Sequence, residues 1–200
     1  TYNVSTLQKF DSMFRHSKVV KLVDDTDNSI LSNITTLKIR KSFTPTLNSS
    51  LKYSVFFRNA VYNPHTGHNS TAGGVVTSSG FKVQGSTSEQ FLDDDGNGNI
   101  RRYYLSGATR VYTNSTQGTI DYTTGEITIN SLQITEISNI RGSASTVIEL
   151  TVQPASNDIV PVRDQILELD IPNSTISVEK DSFVGGSSDA GVGYTTTSAY

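Results

Sequence analysis

Apolar residues recur three or four apart at the start of the chain and at every second position through much of the rest. Over residues 5–27, Leu7, Phe10 and Phe14 follow a helical period, and Val19, Val20, Leu22 and Val23 continue the apolar character beyond Ser17. Ser5 and Ser17 carry hydroxyls suited to N-caps, so two short helices are predicted, broken near His16, with their apolar faces on one end or face of a sheet. From Ile34 the period shortens to two. Leu37, Ile39 and Phe43 share one face and Lys38, Arg40 and Ser42 the other, until Pro45 stops the run. Leu51, Tyr53, Val55 and Phe57 then alternate with Lys52, Ser54 and Arg58, and the two runs are expected to pair antiparallel.

Residues 63–74 are rich in Asn, Gly, Ser, Thr and Pro and predict a long exposed loop, after which alternation resumes over 75–83. Phe91-Leu92 and residues 100–105 flank Asp93-Asp94-Asp95-Gly96-Asn97-Gly98-Asn99, whose Gly and Asn residues tolerate positive φ and should reverse the chain. Val111 and Tyr112, then residues 119–122, are expected around a turn at 114–118. Thr123-Thr124-Gly125 reverses the chain into 126–132. Further strands are predicted at 146–152, at 165–171 before Pro172, and at Ile176 and Val178. The fold class expected is mainly β with a short N-terminal helical segment, its strands forming an antiparallel meander or sandwich-like sheets. The helical segment occupies 1–29 and the β domain 30–181, with a candidate division into two β units near 63–74; a flexible Gly/Ser/Thr-rich tail follows over 182–200.

The 200 residues are 34% hydrophobic and 18% charged, with one Met, which suits a turn-rich β protein whose modest core takes some stability from neighbouring subunits. A net charge of −3 offers no basic footprint, so nucleic acid is not an expected partner. No apolar run approaches the roughly 18–20 residues that span a bilayer, and no basic region followed by an apolar core opens the chain, so neither a membrane partner nor export is expected. Zero Cys excludes disulfides and thiolate metal sites. The chain opens Thr1-Tyr2-Asn3-Val4 without Met, and a C-terminal portion of a longer protein is expected.

Asp93-x-Asp95-x-Asn97-Gly98 matches the first half of a calcium-binding loop, with oxygens at positions 1, 3 and 5 and Gly at 6. Position 12, which should bring a bidentate carboxylate, is Tyr104, so an acidic hairpin turn is the better reading and no metal or other cofactor is expected. His65-x-x-His68 lies in the long loop, where two imidazoles without Cys, Asp or Glu beside them cannot fill a tetrahedral shell; a second copy of the chain would supply two more. None of the three His sits in a nucleophile elbow, and the spacing of the 19 acidic residues identifies no facing carboxylate pair, so catalysis is not expected. In Arg101-Arg102-Tyr103-Tyr104, Arg101 and Tyr103 are candidates for a protein interface because Arg and Tyr are favoured at interface centres. Simple alternation, which buries one Tyr and exposes one Arg, is the favoured account of the run. The tail offers Phe183, Val184, Tyr194 and Tyr200 as further contact candidates.

Two blocks carry a family resemblance: residues 10–36, with Phe10-Asp11-Ser12-Met13-Phe14-Arg15-His16 and Leu22-Val23-Asp24-Asp25, and residues 118–127, Gly118-Thr119-Ile120-Asp121-Tyr122-Thr123-Thr124-Gly125-Glu126-Ile127. Both resemble the ring-forming baseplate wedge subunit of large contractile-tailed phages, a family related to the baseplate J proteins. Residues 157–166, including Asn157-Asp158-Ile159-Val160-Pro161, add a third similar stretch. The resemblance implies a structural virion protein of the tail baseplate, assembled in the host cytoplasm. Its implied partners are a second copy, as a dimer within a ring, and other wedge proteins. Residues 44–117 are largely outside it. The alternative from composition is a receptor- or carbohydrate-binding β domain, which an aromatic platform on the 63–74 loop would favour; that loop has no aromatic residue after Tyr62.

Overall fold

A computed structural model describes residues 2–71, 73–162 and 165–179. A π-helical turn, Asn3–Leu7, precedes helix α1, His16–Asp24. The strands follow as β1 Ile39–Phe43, β2 Ser50–Phe56, β3 Val76–Ser78, β4 Phe81–Val83, β5 Gln90–Asp94, β6 Asn99–Ser106, β7 Thr109–Asp121, β8 Glu126–Ile137 and β9 Ile148–Val152. The expected mainly β chain with antiparallel pairing and a small N-terminal helix is what the structure has.

The meander runs β5-β6-β7-β8 and rolls up. Because β8 pairs with both β4 and β7, strands β4-β5-β6-β7-β8 close into a five-stranded barrel, and β2 is added to β8 outside the ring. Closure satisfies edges that an open sheet would leave bare. A separate sheet, ordered β1-β9-β3, shares the barrel's core: Val76, Ile148, Leu150 and Val152 cluster with Phe81, Leu92, Ile127 and Ile134, all essentially inaccessible to water.

The local pattern located strands better than it chose their partners. Strands β1 and β2 do not pair with each other: β1 takes β9 and β2 takes β8. The expected run 75–83 is two strands, β3 and β4, which enter different sheets across Ser79 and Gly80. The turn expected at 114–118 is continuous β7, whose ladder with β6 absorbs two register shifts near Arg102. No strand forms at 165–171, where Ile171–Asn173 is instead a 3-10 turn, and Ile176 and Val178 stand 86% and 90% exposed outside any strand.

The N-terminal segment meets the 159–169 stretch in a smaller second core of Leu7, Phe14 and Ile159. Phe14 and Ile159 exchange backbone hydrogen bonds of 2.9 and 3.0 Å, and Asn3 donates to the Leu169 carbonyl at 2.8 Å while accepting from its amide at 2.7 Å. Neither Ser5 nor Ser17 caps a helix. The first amide of α1, that of His16, is taken by the Asp158 carboxylate at 2.9 Å, from 142 residues away. α1 covers little: Val19 packs against the second core beside Ile39, but none of the helix's residues is buried, and Leu22 and Val23 are exposed.

Candidate functional site

The hairpin β5–β6 turns at Gly96 and Gly98, both at positive φ, as the Gly/Asn pattern predicts. Beside this turn lies a polar cluster closed over by the 63–71 loop. Asp93, fully buried, is the register partner of Arg101. Arg101 Nε donates to Asp93 Oδ1 at 2.9 Å and Nη2 to Oδ2 at 3.2 Å, a two-pronged pair. Oδ2 also accepts from Arg110 Nη1 at 2.6 Å and the Tyr112 hydroxyl at 2.8 Å. Arg101 further donates to the carbonyls of Ser70 (2.9 Å), Asn69 (3.4 Å) and Asp94 (2.7 Å), so its guanidinium ties the loop to the hairpin. Its charge lies 4.3 Å from the centre of the Tyr112 ring, and that of Arg110 4.7 Å from the Tyr103 ring.

Asp94, also fully buried, binds three other segments. It accepts from the Val76 amide at 2.8 Å, the Asn69 side chain at 2.9 Å and the Tyr122 hydroxyl at 2.7 Å. A Cβ on Gly74 would run into this carboxylate, so glycine there permits the approach. The third acid, Asp95, is half exposed and accepts from the Asn97 amide (2.8 Å), the Asn99 amide (3.0 Å) and the Asn99 side chain (2.7 Å).

These environments shift several titrations. Burial pushes the Asp95 carboxyl up, but the Asn99 and Asn97 hydrogen bonds together with the Arg101 charge outweigh it and hold it below the ordinary carboxylate range. Burial, then the Asp94 carboxylate, raises the Tyr122 phenol far above its ordinary value; burial and Asp93 raise Tyr112 in the same way. Burial works against the charge of Arg110, but Tyr103 and Asp93 outweigh it and raise its pKa.

The calcium-loop candidates are thereby separated. Asp93 is neutralised by two guanidiniums, Asp95 serves the turn's own amides, and Asn97 donates to the Asp95 carbonyl at 3.3 Å. Among the described residues no group of three His, Cys, Asp or Glu is placed to hold a metal. The interface candidates on β6 also need correction. Arg101 is 7% exposed and Tyr103 6%, so both face into the cluster and leave almost no surface for a partner. Alternation holds along β6, with Arg101 and Tyr103 buried and Arg102 and Tyr104 only partly so, and the 63–71 loop covers the outer face of the hairpin, supplying carbonyls that the buried Arg101 guanidinium uses. That loop is accordingly not uniformly exposed: Asn69 is buried. The missed signal was cross-strand: a hairpin turning at 96–98 sets Asp93 opposite Arg101, and a facing pair of opposite charges is a unit of sheet stabilisation. Phe183, Val184, Tyr194 and Tyr200 lie outside the described residues.

The other polar constellation is at the surface. His65 and His68 meet ring to ring, with Nε2 of the first 3.3 Å from Nδ1 of the second, and Tyr62 packs edge-on against His68.

Among the described residues, most of the exposed large apolar side chains lie outside the β domain, before β1 or after β9. Val4, Phe10, Leu22, Val23, Leu31 and Ile34 stand out on the N-terminal segment, and Val160, Ile166, Ile171, Ile176 and Val178 over 160–178. Residues 1–42 match the family described as "Baseplate structural protein gp6, C-terminal domain III". The match covers 42 of 200 residues and supports a phage baseplate structural protein at the virion's tail, a family role that is non-enzymatic and involves other baseplate components. Neither a curated protein nor a solved structure matches the chain.

Proposed function

We propose that this chain is the C-terminal portion of a baseplate wedge subunit of a contractile phage tail, akin to the baseplate J proteins, that works by contact area and not by reactive groups. It is assembled in the host cytoplasm, self-associates as a dimer within a ring and binds neighbouring wedge proteins. The observation that supports this most is the coincidence of two features on residues 1–42: the family match, and a helix with no buried residue followed by Leu31 and Ile34, the latter 98% exposed. Apolar side chains left in water on this scale mark surfaces that a partner covers. The polar cluster supports a scaffold role, since its carboxylates are engaged by Arg, Tyr and amide groups that fix the loop and hairpin.

The double variant Phe10→Ser/Ile34→Ser tests the proposal. Both side chains are exposed, so thermal stability of the isolated chain should stay within experimental scatter. Light scattering, alone and after mixing with the other tail proteins of the same virus, should show loss of assembly. Removal of residues 183–200 should also weaken assembly while leaving the melting curve in place. Assembly of the double variant indistinguishable from the parent chain would defeat the proposal.

A further inference from the structure

We propose that His65 and His68 form a two-histidine site for a divalent transition cation of the Zn2+ type. The two facing nitrogens are 3.3 Å apart. A tetrahedral zinc with bonds of about 2.0–2.1 Å holds adjacent nitrogens about 3.3–3.4 Å apart, so the pair is already at the bite of the ion. The other ring nitrogen of His65, Nδ1, lies 3.2 Å from the Thr66 carbonyl. Donation to that carbonyl puts the proton on Nδ1 and leaves the Nε2 lone pair facing His68, the outer-shell arrangement by which a backbone carbonyl orients a metal-binding imidazole. In the metal-free chain the bridging proton then sits on His68 Nδ1. Metal binding replaces that N–H···N contact: His68 gives up its Nδ1 proton and takes one on Nε2, staying neutral, while both facing lone pairs turn to the ion.

The pair is held in place. Gly67 N donates to the Gly96 carbonyl at 3.0 Å, His68 N to the His65 carbonyl at 3.1 Å and Ser70 N to the Gly67 carbonyl at 3.1 Å, and Asn69 is anchored on Asp94. A Cβ on Gly96 would lie 2.7 Å from the amide nitrogens of His68 and Asn69, a close approach that locks the loop on the hairpin. Preorganisation of this kind removes the ordering cost that a flexible His pair would meet. Two imidazoles fill two positions of the shell, and with His65 exposed the remaining two are open to water or to donor atoms of another chain.

Calorimetric titration of the full, tag-free chain with ZnCl2 tests the site, with MgCl2 as a cation that prefers oxygen ligands. Zn2+ should bind at one ion per chain, or at one ion per two chains with a doubled mass in light scattering if a second pair completes the shell; Mg2+ should not bind there. His65→Gln and His68→Gln should each weaken Zn2+ binding at least tenfold with unchanged melting curves, whereas His16→Gln, at the start of α1 with its ring on the Thr35 carbonyl, should not. In nitrogen-15 spectra of the imidazoles, Zn2+ should move His65 Nε2 and His68 Nδ1. Zn2+ affinity unaltered by either loop substitution, or lost only with His16→Gln, overturns the proposal.

Discussion

Asp93 and Arg101 face each other across the β5–β6 ladder, joined by two hydrogen bonds of 2.9 and 3.2 Å, with the carboxylate wholly shut off from water. The pair does more than close a hairpin. Arg101 carries the contact on to the carbonyls of Ser70 and Asn69, and Asp93 to Arg110 and Tyr112 on β7, so one ion pair fixes loop, hairpin and third strand together.

Asp93→Asn should therefore cost about 3–5 kcal/mol of stability, because it leaves a buried guanidinium without its counter-charge. Arg110→Ala, at a side chain one-third exposed, should cost about 1 kcal/mol or less. Urea unfolding followed by far-UV circular dichroism separates the two. Equal losses would mean that Arg101 finds its compensation elsewhere.

Acid should weaken the chain partly through Asp95. Its folded pKa lies below the ordinary carboxylate value of 3.8, so the stability it adds is present above that pH and is lost as the pH falls through the lower folded value. Asp95→Asn keeps an acceptor oxygen for the turn amides and removes the charge. Between pH 5 and pH 2.5 this variant should lose less stability than the parent chain, read from unfolding midpoints; parallel losses would assign the acid sensitivity to other carboxylates.

What could be read from the sequence was local. The Gly/Asn reversal at 96–98 and the turn at Thr123-Thr124-Gly125, where Asp121 accepts the Thr123 amide at 2.8 Å, both depend on neighbours within a few residues, whereas the helical break expected near His16 falls instead before it, because α1 begins at His16. Pairing depends on surfaces that meet only after folding. Ile39 aligns with Val152 and not with β2, and the alternation of Ile176 and Val178 builds no strand. For the same reason the site was half legible. The hairpin and its charged residues were visible, but the direction of Arg101 is set by carbonyls some thirty residues earlier in the chain. The cap of α1 by Asp158 has the same character.

Tyr122 should make the fold alkali-sensitive. Its phenol is raised by burial first and by Asp94 second, so its neutral form adds stability that is complete below the ordinary value of 10.0 and declines as the pH rises above it. Tyr122→Phe should cost about 1.5–3 kcal/mol at pH 7, the range for a hydrogen bond to a charged group. The gap between variant and parent should narrow at pH 11. Guanidinium unfolding at both pH values checks this, and a gap of constant size would show that Tyr122 ionises normally in the folded chain.

Barrel closure turns on Gly118. This residue pairs with Ile100 of β6 and with Ile129 of β8, at the point where β7 passes from one neighbour to the other. A Cβ there would meet the Thr128 carbonyl oxygen, and the Ile129 Cα would stand 3.0 Å away; both are backbone atoms of a paired strand that no rotamer change can move. Its φ is not positive, so the constraint is space and not conformation. Gly118→Ala should accordingly push β7 from β8, at a cost of at least about 1–3 kcal/mol, the range for overpacking a filled interior. Gly107, at the β6–β7 turn with nothing within 4 Å of an added Cβ but a φ of 61°, is the control for backbone strain alone. Hydrogen exchange distinguishes the two: Gly118→Ala should expose the amides of 118–121 and 126–129 selectively, whereas Gly107→Ala should affect only the tip of its hairpin. Unchanged protection along β8 in Gly118→Ala would mean that the ring closes without this close approach.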